Sequence, residues 1–422
     1  VLHRVQALAA SVVGQVLGGR NLDQALEESR RRHRALTPQQ RAALQDMSYT
    51  TLRWLARLQA ILDVLLAQPL DALRLRCLLL VALGQLEYGR TAPHAVVDHA
   101  VRAVVHIGQP WAKGLVNAVL RNFLRQRTDV LSRVDADVAT RLSYAPWWID
   151  KLQAQFLADW ESILAAGNTH PPMTLRVNVR RLDRDAYLAR LVEHGIQAGP
   201  AGEYGVTLAH PMPTELLPGF SEGLVSVQDL GAQYAAPLLD VHDGMRVLDA
   251  CSAPGGKATH LLELAEIELL ALDVDDARLA RVDDNLRRLG LSAKLCQGDA
   301  AQPSQWWDGR PFDRILADVP CSASGIVRRH PDIKWLRRQT DLARFALQQE
   351  YILRALWPTL AKGGKLLYAT CSVFREENQD RVEAFLAVTP DARCLPLTDF
   401  GKGQLLPCEI HDGFYYALLQ KV

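Results

Sequence analysis

The chain has 422 residues, of which 49% are hydrophobic and 23% charged, enough apolar material for several cores and too much for a disordered chain. At roughly 150 residues per domain, the length predicts two or three domains. The longest apolar run, residues 77–83, falls well short of the ~20 residues that a membrane-spanning helix needs. Seven scattered cysteines with no Cys-x-x-Cys pair argue against both a disulfide framework and a zinc site. The chain opens Val-Leu-His-Arg-Val, with neither a basic-then-apolar leader nor an initiator Met, so its numbering is expected to start inside the gene product. The expectation is a reduced, cytoplasmic, multi-domain protein without membrane or metal.

The net charge of +1 hides an asymmetry. Residues 1–143 hold 19 basic and 11 acidic side chains; residues 144–422 hold 29 and 36. Most of the basic charge is Arg, whose planar fork matches phosphate oxygens. Residues 1–143 read as all-helical, with Leu22, Leu26, Leu44, Leu52, Leu55, Leu58 and Leu62 at helical spacings. Thr37-Pro38 fits a capped helix start. Arg30, Arg31, Arg32 and Arg34 form one basic cluster, and Arg121, Arg125 and Arg127 another. RNA contact by this part of the chain is expected. His94, His99 and His106 lack the spacing of a helical metal site.

A helix after Tyr144-Ala-Pro-Trp-Trp leads into a small α/β unit, with strands at 174–179, 205–209 and 224–228 and a helix at 185–194. From Gly231 strands and helices alternate. Strands are expected at 245–250, 268–274, 293–298, 314–317 and 365–370, with helices at 257–265, 275–289 and 340–360. This alternation predicts a mostly parallel sheet. A last strand at 413–419 would join an edge, and Asp412 to Tyr416 reads as core strand.

The first of these strands ends in Leu248-Asp249-Ala-Cys-Ser-Ala-Pro254-Gly255-Gly256-Lys257. A strand, a glycine turn and a helix make a nucleotide-type corner, where backbone N–H groups and the helix N-terminus face a ligand. The dinucleotide fingerprint Gly-x-Gly-x-x-Gly is absent, which disfavours an oxidoreductase. Asp273 ends the second strand and Asp299 follows the third. Acids at successive strand ends suit a nucleoside carrying a sulfonium, such as S-adenosylmethionine.

The fourth strand ends in Asp318-Val-Pro320-Cys321-Ser-Ala-Ser-Gly325 and the fifth in Ala369-Thr370-Cys371-Ser372. Adjacent strands lie ~4.8 Å apart, so both thiols should overhang one crevice. A thiolate is a soft nucleophile for carbon. Its addition at cytosine C6 turns the electron-poor C5 into an enamine-like carbon able to accept a methyl group. An acid near N3 assists the addition, and a base must later remove the C5 proton. Asp318, Cys321 and Cys371 can supply these roles, but spacing does not say which cysteine attacks.

These motifs resemble the Nop/Sun group of RNA cytosine-5 methyltransferases, in its bacterial Sun/Fmu branch. Arg328-Arg-His-Pro-Asp-Ile-Lys-Trp335 and Asp412-Gly-Phe-Tyr-Tyr416 match further blocks of that branch. Lys113-Gly-Leu-Val-Asn-Ala-Val-Leu-Arg121 lies in a region similar to the helical domain shared with the antitermination factor NusB. Leu175-Arg-Val-Asn178 is similar to the group's small domain. The resemblance implies three domains: a NusB-like RNA-binding domain at 1–143, a linker helix and small α/β domain at 144–222, and a Rossmann-like methyltransferase domain at 223–422. It implies methylation of C5 of a cytosine in small-subunit (16S) rRNA by a monomer. Cys371 would be the nucleophile, Cys321 would help release the product, and Asp318 and Lys257 would complete the catalytic set. S-adenosylmethionine would lie against Cys251, Ser252, Ala253, Pro254, Gly255, Gly256, Lys257, Asp273, Arg278, Asp299 and Asp318. Two positions depart from the group's pattern, Val319 and Ala258, and both leave the reacting groups in place. The alternative is an RNA-binding assembly factor with a vestigial methyltransferase domain. The mixed basic and aromatic segment 328–335 is expected to be a loop able to hold a splayed RNA base.

Overall fold

The computed structural model describes residues 2–397 and 402–422. They pack as two compact units, residues up to Thr169 with Val327–Gln339, and His170–Ile326 with Thr340–Val422. Among the described residues, no helix is long and apolar enough to cross a membrane, and no group of three or more His, Cys, Asp or Glu side chains is arranged to hold a metal.

The first unit is helical. Helix Pro38–Arg53 begins with a reciprocal cap, in which the Gln40 N–H donates to Thr37 Oγ1 and the Thr37 N–H donates to Gln40 Oε1. Helix Leu73–Tyr88 buries Leu75 and every residue from 77 to 84, so the long apolar run is the centre of the bundle. Arg31, Arg32 and Arg34 are exposed, as are Arg121, Arg125 and Arg127, although Arg127 pairs with Glu87 at 2.9 Å.

Residues 327–339 belong to this unit. Arg328, Asp332 and Lys334 are each 1% exposed. Lys334 Nζ donates to the carbonyls of Arg53 (2.6 Å) and Ser143 (2.9 Å) and to Asn168 Oδ1 (2.8 Å), and lies 4.1 Å from the Tyr144 ring centroid. Burial drives this amine toward its neutral form, but three acceptors and no donor around Nζ are the surroundings of an ammonium. The Asp332 carboxylate accepts from the Leu22 N–H at 3.0 Å, Arg53 donates to the Arg328 carbonyl at 2.8 Å, and Trp335 Nε1 donates to the Leu52 carbonyl at 2.7 Å. The segment is therefore not the exposed base-holding loop expected from sequence. The mixture of charge and ring that suggested RNA instead satisfies buried backbone groups of the helical bundle.

The second unit holds two sheets. Strands β1 (Met173–Val177), β2 (Ala198–Ala201), β3 (Gly205–Leu208) and β4 (Val225–Val227) form an antiparallel sheet in the order β2-β3-β1-β4. Helix Arg184–Glu193 packs Tyr187 and Leu191 into its core. The larger sheet contains β5 (Arg246–Asp249), β6 (Glu268–Asp273), β7 (Lys294–Gln297), β8 (Phe312–Asp318), β9 (Leu360–Thr370), β10 (Ala392–Leu395), β11 (Gln404–Leu405) and β12 (Phe414–Lys421). Its order is β10-β12-β9-β8-β5-β6-β7, with β11 on β12. The run from β9 to β7 is parallel, and β12 is antiparallel to β9. Strands β5 and β8 lie between apolar clusters on both faces, which is why they read as continuous apolar runs. The chain moves from β5 outward to β6 and β7, then returns to place β8 on the other side of β5. That reversal opens a crevice at the carboxyl ends of β5 and β8.

The structure adjusts two sequence expectations. Helix Asp341–Leu356 ends earlier than 360, at Trp357-Pro358, and β9 starts at Leu360 rather than 365. Proline cannot continue the helix ladder. Strands β2, β10 and β11 and helix Gln379–Val388 carried no periodicity strong enough to be seen.

One buried ion pair joins the smaller sheet to the helix that follows the glycine turn. Arg176 on β1 is 0% exposed. Its guanidinium binds Glu263 through two 2.8 Å contacts, and donates to Gln228 Oε1 (2.5 Å), Thr259 Oγ1 (3.0 Å) and the Gly256 carbonyl (2.6 Å). Gly256 opens the helix that follows the glycine turn, so Arg176 fixes where that helix begins. Arg176→Ala is expected to cost about 3–5 kcal/mol in urea unfolding, because Glu263 is left buried and unpaired, while Arg176→Met with Glu263→Leu recovers most of the loss. Equal losses in the single and double variants would contradict this. Lys334→Ala should lower stability by about 3 kcal/mol, since each buried acceptor left unpaired costs ~1–3 kcal/mol. An unchanged unfolding midpoint would show that water replaces the ammonium.

Candidate active site at the β5–β8 crevice

A cavity of about 190 Å³ opens at the reversal point, lined by Asp249, Cys251, Ser252, Ala253, Pro254, Gly256, Lys257 and Asp318 together with Val227, Gln228 and Ala232. The first eight come from the ends of β5 and β8 and the turn after β5. Gly255 stands at φ 94°, in the left-handed region, where a Cβ would also meet Val282 Cγ1 at 3.0 Å. The turn is held from outside by Arg278, which donates to the Ala253 carbonyl at 2.8 Å, and by Asn285, which donates to the Pro254 carbonyl at 3.0 Å.

Asp273, Arg278, Asp299, Gly255, Cys321 and Cys371 are not among the residues lining the cavity. Asp273 is buried and accepts from the Ala253 and Asp275 N–H groups at 3.1 and 3.2 Å. Asp299 accepts from the Ala301 N–H at 2.9 Å and Gln302 Nε2 at 3.1 Å. Both carboxylates thus shape the loops at the ends of β6 and β7, beside the cavity.

Asp249, the acid that ends the first strand of the motif, stands out. It is 1% exposed, and neither carboxylate oxygen makes a hydrogen bond of normal geometry. Burial, with Asp318 nearby, pushes its pKa up to about 7. A buried acid facing a cavity, with only poorly aligned contacts from Ser252 and the Cys251 N–H, suits a cationic ligand. A nucleoside with a sulfonium and an ammonium meets that requirement, so the donor set fits S-adenosylmethionine.

Lys257 and Asp318 form an ion pair across the cavity. Burial alone would lower the Lys257 pKa, but Asp318 and the Cys371 side keep it above its ordinary value. Lys257 Nζ also lies 5.4 Å from the Phe414 ring centroid.

The two thiols meet beside this pair. Parallel pairing sets Asp318 opposite Ala369, so Cys321 and Cys371 leave adjacent strand ends. Their sulfurs are 3.4 Å apart. The contact with Cys371 and burial raise the Cys321 thiol well above its ordinary pKa, and Glu377 adds to this. Ala323 at φ 60° gives the Cys321 loop its tight return, and the Gly325 N–H donates to the Cys371 carbonyl at 2.8 Å. A Cβ on Gly325 would meet the Gly413 carbonyl oxygen at 2.3 Å. Asp412-Gly-Phe-Tyr-Tyr416 is thus core, and its glycine makes room for the cysteine loop. Cys77, Cys296, Cys394 and Cys408 form no disulfide among the described residues and do not line the cavity.

Comparison with known proteins bears on the whole chain. Residues 236–420 match the 16S rRNA methyltransferase RsmB/F family, residues 144–215 the ferredoxin-like domain of the RsmF/B-like methyltransferases, and residues 3–125 the NusB family. Ribosomal RNA small subunit methyltransferase B of Pseudomonas putida is 46% identical over 100% of this chain and 98% of its own length. The protein of the same name from Escherichia coli is 44% identical over 99% of both chains. A solved methyltransferase homologue from Pyrococcus horikoshii is 27% identical, with a TM-score of 0.60, covering 69% of this chain and 99% of that one. With identity at this level across full-length relatives, the chain belongs to the ribosomal RNA small subunit methyltransferase B family.

Proposed function

We propose that the protein transfers a methyl group from S-adenosylmethionine to C5 of a cytosine in small-subunit (16S) rRNA. The observation that carries this reading is the pair of sulfurs 3.4 Å apart at adjacent strand ends, beside the Lys257–Asp318 pair and the orphaned Asp249. The names of the relatives support rRNA as the substrate.

In this reading the Cys371 thiolate forms a bond to C6 of the cytosine. The Lys257–Asp318 pair holds a proton at the cavity for N3 as the ring gains charge. S-adenosylmethionine, when bound, supplies the methyl group that C5 then takes. Cys321 accepts the C5 proton, the Cys371–C6 bond breaks, and its electrons return to sulfur. Cys321 holds its own proton tightly, so it must release that proton to solvent before it can take one from C5. Product release is therefore the step that quickens as pH rises. The base must leave its stack to reach the thiols.

Cys251, Ser252, Ala253, Pro254, Gly255, Gly256, Lys257, Asp273, Arg278, Asp299 and Asp318 make up the cofactor surface in this reading, and we add Asp249 for the ligand's positive charge. RNA phosphates meet the helical unit at its large groove, about 1270 Å³, whose lining includes Arg4, Arg32, Arg34 and Arg74 and no acid. That groove is the larger cavity, but no thiol or carboxylate lines it, whereas Asp249, Lys257 and Asp318 line the smaller one, next to the two reacting thiols. A monomeric cytoplasmic protein, divided into three domains after residues 143 and 222, completes the proposal. The intact set of thiols, acid and lysine speaks against a vestigial methyltransferase domain.

Asp249 gives a test with a definite sign. Its folded pKa of about 7 lies above the ordinary 3.8. The stability that goes with its protonated form is complete below pH 3.8 and is lost as pH rises toward 7, by up to about 4 kcal/mol. Asp249→Asn should flatten that limb in ligand-free protein and raise stability at pH 8, while weakening S-adenosylmethionine binding about tenfold in calorimetry. A variant with the wild-type pH curve and affinity would remove Asp249 from the site.

The thiols give a second test. Cys321→Ala should accumulate an RNA–protein adduct on denaturing gels that needs S-adenosylmethionine to persist, because the C5 proton stays in place. Cys371→Ala should form none. The reverse pattern would exchange the two roles.

A further inference from the structure

Each of the two paired thiols is followed by a serine, Cys321-Ser322 and Cys371-Ser372, and both serines are 0% exposed. Their hydroxyls converge on one carboxylate. Glu377, also 0% exposed, accepts from Ser322 Oγ at 2.6 Å and Ser372 Oγ at 2.5 Å through Oε2. Through Oε1 it accepts from the Ser322 N–H at 2.7 Å and Gln349 Nε2 at 3.3 Å. Ser324 closes the knot, with its Oγ 3.1 Å from Ser322 Oγ and 3.0 Å from Ser372 Oγ, and it accepts from the Val373 N–H at 2.9 Å. Ser372 Oγ also accepts from the Phe374 N–H at 3.0 Å. The neighbouring Asn378 donates to the Ser372 carbonyl at 2.8 Å.

Donor and acceptor counting fixes the sense of this network. Ser324 Oγ and Ser372 Oγ each already accept a backbone N–H, and the shortest contacts of the Ser322 and Ser372 hydroxyls are to Glu377. An ionised carboxylate accepts all four donors at once. A protonated one would force a serine hydroxyl to turn away. Burial favours the neutral acid, and the four hydrogen bonds oppose it. Three of those bonds come from the residues that directly follow the cysteines.

We propose that Glu377 is a positioning residue that fastens the β8 and β9 loops to one buried carboxylate, thereby setting the Cys321–Cys371 spacing. The proposal rests on the two-thiol reading above. Residue pairing in the sheet brings the two loops near each other, but it ends at Asp318 and Ala369, before either sulfur. Beyond that point the serine–glutamate knot, with the Gly325 N–H to Cys371 carbonyl bond, holds the two cysteine loops together. Other groups that act on this pair are Lys257 beside Cys371, and Tyr368, whose hydroxyl donates to the Glu377 carbonyl at 2.6 Å, with Arg381 beyond it. Glu377 places negative charge beside Cys321, in contrast to the cation beside Cys371. The two otherwise similar thiols thus stand in unlike fields.

The test uses full-length Glu377→Gln, which keeps the shape of the side chain and removes its charge and two of its acceptor sites. Three quantities are read: the rate at which diamide joins Cys321 to Cys371, the pH at which half of Cys321 is alkylated by iodoacetamide, and the steady-state constants. Bridging should slow about tenfold, because close approach of reacting atoms is lost. The alkylation midpoint should fall by ~1 pH unit, the effect of removing one nearby buried charge. The kcat should drop about tenfold with KM for RNA within about threefold, the pattern of a group that acts after binding. Wild-type bridging and an unshifted midpoint would overturn the proposal. If Glu377→Gln does not fold, Ser322→Ala, which cuts one of the four bonds to the carboxylate together with the contact to Ser324, is read in the same way: slower bridging supports the proposal and an unchanged rate overturns it. Bridging and alkylation do not depend on methyl transfer. A wild-type protein that leaves cytosine C5 unmodified would therefore sink the functional reading while these two arms still decide the role of Glu377.

Discussion

Parallel pairing of β8 with β9 sets Asp318 across from Ala369, and the rest of the site depends on that register. A shift of one residue would turn every side chain of a strand to the other face of the sheet. Asp318 would then leave the cavity and Lys257 would lose its partner. The register is held by what lies behind it. Strands β8 and β9 carry Ile315, Leu316, Leu366 and Leu367, all 0% exposed, and the two apolar faces take alternate members of each strand. The hydrophobic layers therefore determine the chemistry indirectly, by leaving a single alignment that buries both faces.

Buried charge is the second organising feature. Arg176, Lys334 and Glu377 are all at or below 1% exposed, and each is surrounded by matched donors or acceptors. Each ties segments distant in sequence: Arg176 joins β1 to the helix after the glycine turn, Lys334 joins three separate parts of the helical bundle, and Glu377 joins the two cysteine loops. Such groups add little net stability against well-packed apolar residues, but each tolerates few alternative arrangements. Asp249 differs from them. Its carboxylate faces the cavity without hydrogen bonds of normal geometry, which is the condition of a binding group rather than a structural one.

Much of this was legible in the sequence because the relevant signals are local. The Gly255-Gly256-Lys257 turn, the acids at strand ends and the two Cys-Ser pairs each sit within a few residues of a strand whose apolar run is plain. Alternating strands and helices then place them on one edge by general rules of α/β topology. Segment 328–335 was misread because charge and aromatic content look alike on an RNA-binding loop and on a buried polar plug. Only the acceptors supplied by Arg53, Ser143 and Asn168, hundreds of positions away in places, tell them apart. Glu377 was missed for a related reason. Its partners come from two loops about 50 residues apart, and nothing around it in sequence shows that they meet. The repeat of serine after each cysteine was the one available hint. Asp249 stood inside a quoted motif, but its lack of partners is visible only in three dimensions.

The central claim is that Cys371 attacks C6 while Cys321 manages the proton at C5. It is tested most directly by incubating the wild-type protein with S-adenosylmethionine and 16S rRNA transcribed with 5-fluorocytidine. Fluorine at C5 blocks the proton removal that ends the reaction, so the attacking residue stays attached. Nuclease digestion and peptide mass spectrometry should then find a methylated fluorocytidine on the peptide that contains Cys371. The same adduct on Cys321, or RNA methylated with no covalent adduct at all, would contradict the account.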